Sequence, residues 1–126
     1  MKSSRQLCFE LVRELATFSL EAATIILLYQ DNLLLLATVS VETLLAIGLW
    51  HERRDVAAFL GLALIGSAAE AVFVHFGVWR YANPSLLGFP PWFPVAFGLA
   101  GLIGQRLVGT VTEMWTTAPT WRADRE

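Results

Sequence analysis

Apolar runs return along this chain at intervals of about 25 residues, and each is close to the roughly 20 residues that a helix needs to cross about 30 Å of hydrocarbon. Few soluble folds tolerate such a pattern, because a chain that is 56% hydrophobic and only 16% charged has too little polar surface to cover its own core. The 126 residues leave room for one domain, residues 1–126, with four spans. The sequence predicts an all-α, integral membrane four-helix bundle with spans at residues 9–29, 33–50, 56–79 and 92–108, followed by a polar tail at 112–126. Gln30-Asp31-Asn32 and His51 to Asp55 are short hairpin connections. The third connection, rich in proline and aromatics and uncharged after Arg80, suits a loop in the membrane interface, with helix 4 starting between Pro91 and Pro94.

Lysine and arginine accumulate on the cytoplasmic side of membrane proteins. Lys2, Arg5, Arg13, Arg53, Arg54, Arg106, Arg122 and Arg125 fall on one side of the layout and Arg80 alone on the other, so both termini are expected inside. Tyr29, Trp79, Tyr81 and Trp92 at the outer rim and Trp50, Trp115 and Trp121 at the inner one form the matching aromatic belts. Helix 1 has the shortest uninterrupted apolar stretch. As a surface helix it would turn Arg53 and Arg54 outward, against the charge rule. The expected location is a cell membrane of bacterial or archaeal inner-membrane type.

The net charge of -2 argues against nucleic acid, which demands a basic face. One cysteine, Cys8, forms no internal disulfide, and two separated histidines make no zinc pattern, so neither metal nor cofactor is expected. Glu10, Glu14 and Glu21 interrupt the stretch where a cleavable signal would be apolar.

Glu21, Glu42 and Glu70 each interrupt a different span at similar depth, roughly 12–15 Å from its outer end at 1.5 Å per residue. A charge at the centre of a span costs about 2.5–3.5 kcal/mol on insertion scales, so lone lipid-facing carboxylates are untenable. Glu10, Glu14, Thr17, Glu21 and Thr24 share one face of helix 1. Thr38, Glu42 and Ala46 share one of helix 2, and Ala63, Gly66, Ser67, Glu70 and Gly77 one of helix 3. Converging faces would make a mid-membrane carboxylate pocket whose groups serve as buried general acid, proton carrier or cation ligand. Glu70, Glu42 and Glu21 are therefore the candidate catalytic residues. His75, Trp79, Arg80, Tyr81 and Asn83 form a candidate ligand-binding mouth above the end of helix 3. Arg106 is expected to snorkel and pair with Glu113. Ala96, Ala100 and Gly104, at four-residue steps, and the small residues around Glu70 predict close packing of helices 3 and 4.

From Glu70 through Gly77, Arg80-Tyr81 and Gly88-Phe89-Pro90-Pro91 to Pro94, the chain resembles integral membrane carotenoid-biosynthesis proteins of the bisanhydrobacterioruberin-hydratase type. The resemblance covers about residues 70–105. It implies an isoprenoid substrate and Glu70 as the acid that protonates or hydrates a carbon double bond. Three functions remain open. The first is binding or modifying a lipophilic, isoprenoid-like molecule among membrane lipids. The second is an accessory or assembly subunit of a larger membrane complex, its glutamates meeting a partner subunit. The third is a proton-coupled transporter working as a homo-oligomer.

Overall fold

The computed structural model describes residues 2–81, 84 and 86–117. Among them the chain forms four α-helices: α1 (Ser4–Leu28), α2 (Asn32–Trp50), α3 (Arg53–His75) and α4 (Phe93–Thr117). A short 3-10 turn, Leu86–Gly88, precedes α4, and no strand occurs among the described residues. Three helices, α2, α3 and α4, are long and apolar enough to cross a membrane. The fourth, α1, is of similar length, but Arg13, Glu14 and Glu21 divide its apolar stretch.

The helix ends follow from local chemistry. Ser3 caps α1 in a reciprocal box, its hydroxyl accepting from the Gln6 amide at 3.2 Å while Gln6 Oε1 accepts from the Ser3 amide at 2.8 Å. Asp31 caps α2 by accepting from the Leu34 amide at 3.0 Å. The third helix stops four residues before Trp79. Gly77 takes a left-handed φ of 73°, its amide donates to the Val74 carbonyl at 3.0 Å, and the Val78 amide donates to the Phe73 carbonyl at 2.9 Å. That pair of bonds is a Schellman stop, for which glycine is the natural residue. Helix 4 continues to Thr117, nine residues beyond the end of the apolar span at Val108.

The central element is α4. It packs against α1, α2 and α3, whereas α1 and α3 make no contact with each other among the described residues. Leu35, Val39, Ala46 and Trp50 of α2 meet Ala96, Leu99, Leu102 and Ile103 of α4 in the apolar core. The seam between α3 and α4 is the closest in the molecule, as the small residues predicted, but different ones form it. A Cβ on Gly98 would stand 2.7 Å from the Phe59 ring and 2.9 Å from the Phe59 carbonyl oxygen, and one on Gly101 would stand 2.5 Å from Leu62. The Phe97 ring covers Gly66 in the same way. Ala96 and Ala100 face α1 instead, and a side chain at Gly104 would meet open space. Where hydrophobicity cannot drive helices together, such close backbone approach supplies the dispersion contacts that do.

Helix 1 is polar inside and apolar outside. Leu7, Glu14, Glu21 and Thr24 are its buried residues, while Phe9, Val12, Leu15, Phe18, Leu20, Ile26 and Leu27 are exposed. Leu33, Leu44, Leu45 and Leu49 of α2 and Leu60, Leu64, Ile65 and Val72 of α3 are exposed as well. The apolar surface thus encircles the bundle, far beyond what a water-soluble domain of this size presents.

Candidate functional site: two carboxyl centres and a groove beside α1

The buried polar groups fall into three sets. At the end of the bundle where the chain begins, Asp55 is wholly buried and Arg106 is 3% exposed. Arg106 donates to Asp55 Oδ2 at 2.6 Å and reaches Glu52 at 3.1 Å, and Gln105 Nε2 donates to Asp55 Oδ1 at 2.7 Å. The guanidinium lies over the Trp50 ring, 4.7 Å from its centroid. The expected pairing of Arg106 with Glu113 is therefore corrected: Arg106 is locked between α2 and α3, and Glu113 instead accepts from the Lys2 amide at 3.2 Å. Asp55, which reads in the sequence as part of a hairpin connection, belongs to the first turn of α3. Nearby, the Thr110 hydroxyl donates to Glu14 Oε1 at 2.8 Å.

In the middle of the bundle Glu21 and Glu42 form a pair across α1 and α2, close enough to interact electrostatically. The Thr24 hydroxyl lies 2.5 Å from Glu42 Oε1 and 2.9 Å from the Leu20 carbonyl. Its single proton serves only one of them. Glu21 is 3% exposed, and Oε2 of each carboxyl is buried without a hydrogen-bond partner. Two grooves flank α1 at this level. One, about 200 Å³, runs between Phe18, Glu21, Ala22 and Ile25 of α1 and Trp92, Phe93, Ala96, Phe97 and Ala100 of the opposing segment. The other, about 280 Å³, lies over Glu42 between Thr17 and Leu20 of α1 and Leu45, Ala46 and Leu49 of α2. Phe18 and Phe97 at the rim of the first groove are exposed, so it opens on the outer flank of the bundle. Trp92 Nε1 is likewise buried and unpartnered.

The third set is built on Glu70. Because α3 stops at His75, Glu70 lies only about 7.5 Å below the helix end, five residues at 1.5 Å each, and the chain beyond Gly77 folds back over it. Trp79 Nε1 donates to Glu70 Oε1 at 2.5 Å, and the Tyr81 hydroxyl donates to the same oxygen. Tyr81 in turn meets Trp92 and Phe93 edge-on, at 6.5 and 6.1 Å between ring centroids. Burial pushes the Tyr81 phenol well above its ordinary range, and its bond to Glu70 adds to the effect.

The structure thus brings Glu21 and Glu42 together and holds Glu70 apart, with α4 between. Trp79 and Tyr81 join Glu70. His75 is exposed at the end of α3 with its ring edge-on to Phe76, 5.2 Å away, and Arg80 is exposed beside the loop. Asn83 lies outside the described residues. Phe93, Phe97 and Phe18 are groove residues that sequence reasoning did not single out, and Trp92, read there only as part of the outer aromatic belt, also lines the groove. Their signal was weak, since aromatics are common in spans and at both rims. No group of three or more metal-ligating side chains occurs among the described residues. No family model, curated protein or solved structure matches the chain.

Two outcomes test these centres. Asp55→Ala leaves the Arg106 charge buried and is expected to destabilise the fold by about 3–5 kcal/mol, whereas Asp55→Ala with Arg106→Met recovers most of that loss. Reversible unfolding in detergent measures both. The second concerns the two tyrosines, Tyr29 and Tyr81. In a Tyr29→Phe protein, whose single tyrosine is Tyr81, an alkaline ultraviolet titration is expected to leave the phenol neutral well beyond the ordinary phenol value of roughly 10. A raised phenol contributes stability in full below the ordinary value and loses it as pH climbs through the folded value. Ionisation of Tyr81 at the ordinary phenol value in the folded protein would refute the buried Tyr81–Glu70 bond.

Proposed function

We propose that this is a four-span membrane protein, both termini inside, that holds a lipophilic, isoprenoid-like molecule in the groove between α1 and α4. The orientation of α1 supports the fourth span. Its polar residues turn toward α2 and α4 and its apolar ones outward, the reverse of a helix lying on a membrane surface with its polar face to water. The clustering of Lys2, Arg5, Arg13, Arg53, Arg54 and Arg106 at one end, with Arg80 at the other, supports the inside termini. The location that follows is a cell membrane.

The observation that carries the binding reading is a buried carboxyl under an apolar groove. Glu21 Oε2 has no partner, its surroundings are aromatic and aliphatic, and the groove opens where lipid would be. Intramembrane carboxyls of this kind mark sites of function by default. Glu70 takes the supporting role. Its oxygen holds Trp79 and Tyr81, and Tyr81 bears on the two aromatics, Trp92 and Phe93, that wall the groove. The resemblance of residues 70–105 to carotenoid hydratases supplies the isoprenoid character of the ligand.

Ala100→Trp fills the groove and leaves every carboxyl of the chain unsubstituted. The variant, extracted from native membranes and purified with its lipids, is expected to lose a co-purifying lipophile that the wild-type protein retains, with its helical content unchanged. Identical solvent-extracted mass spectra from the two proteins would contradict the proposal.

A further inference from the structure

Among the described residues, those lining the α1–α4 groove supply one carboxyl, Glu21, and several aromatic faces, and no positive charge to match them. Glu21 and Glu42 each keep a buried oxygen without a partner, and the one hydroxyl between them, Thr24, has a single proton that the Leu20 carbonyl also draws on. The influences on Glu21 are its own burial and Glu42, with no cation among them. The nearest basic residue on the same helix is Arg13, eight positions away or about 12 Å along the axis. Its side chain turns to Glu10 and to the Phe9 and Trp50 rings. Arg106 is committed to Asp55 and Glu52. The part of α4 facing Glu21 contributes Ala96 and Ala100, and α2 contributes Glu42. Trp92 Nε1 is an unpartnered donor in the same wall, but it is uncharged.

Phe18, Trp92, Phe93 and Phe97 line the groove. Ring faces attract a cation, most strongly when it has left water, and a carboxylate beneath them adds a Coulomb attraction that a low-dielectric site barely screens. We propose that the occupant of this groove is a lipophilic cation: an apolar molecule bearing one ammonium-type charge, seated among these four rings above Glu21, with Glu42 behind it. This rests on the groove reading and adds the charge. The rim formed by exposed Phe18 and Phe97 leaves the apolar remainder of such a molecule in contact with lipid.

The test compares two probes of nearly the same shape on the full-length protein in lipid nanodiscs, by equilibrium dialysis against empty discs. The probes are hexyltrimethylammonium and its uncharged isostere 2,2-dimethyloctane. The wild-type protein is expected to bind the ammonium saturably, roughly tenfold or more tighter than the isostere, since a desolvated cation–ring contact plus a carboxylate is worth at least that factor. Glu21→Gln is expected to erase most of that preference while keeping the isostere's weak binding. That residual binding also certifies that the variant's groove is formed. Equal affinity for the two probes in the wild-type protein overturns the charge inference and leaves the groove reading standing. Saturable binding of neither probe overturns both.

Discussion

A carboxyl group taken out of water has to be enclosed and satisfied by protein, and the arrangement of this bundle follows from that cost. Glu14 and Glu21 stand seven residues apart on α1, two turns along one face. Burying that face rotates α1 so that its apolar side points outward. Once so turned, α1 can close only against elements that accept polar groups, and these are Thr110 of α4 at the end where the chain begins and Glu42 of α2 in the middle. The fourth helix becomes the hub because it packs against α1, α2 and α3 and makes the closest seam with α3. Its glycines let α3 come close on one side, while alanines and aromatics leave the groove on the other.

The same constraint separates two kinds of buried acid. Asp55 and Glu70 are provided for by the protein itself, one by Arg106 and Gln105, the other by Trp79 and Tyr81. Such satisfied groups fix geometry: the first ties α2, α3 and α4 together at one end of the bundle, and the second folds the third loop onto α3. Glu21 and Glu42 retain unpartnered oxygens. A group left short of partners in a low-dielectric interior is costly for stability and therefore the place where a bound molecule gains most.

Much of the architecture was legible in the sequence. The apolar runs located four helices, and the small residues foretold a close seam between α3 and α4. The stripe on α1 was readable because three- and four-residue steps place Glu14, Glu21 and Thr24 on one face. Other features depended on facts that periodicity does not encode. Hydropathy carried the third span through to Trp79, but Gly77 stops the helix at His75, which brings Glu70 nearer the end and within reach of Trp79 and Tyr81. The sequence offered three glutamates at equal depth as one pocket, yet depth along separate helices says nothing about azimuth, and α4 stands between α1 and α3. The Asp55–Arg106 pair spans 51 positions. Opposite charges at matching depth on antiparallel helices were its only trace.

The orientation of α1 is the claim on which both the enclosed carboxyls and the groove depend, and sided thiol labelling reads it directly. Cys8 is exposed near the start of α1, and Gln30 is exposed in the turn at its other end. A membrane-impermeant maleimide applied to sealed vesicles of each orientation is expected to label Cys8 from the cytoplasmic side alone. In a Cys8→Ser, Gln30→Cys protein, position 30 is expected to label from the opposite side alone. Labelling of both positions from the same side would mean that α1 lies on the membrane instead of crossing it, and the account of the buried carboxyls would fail with it.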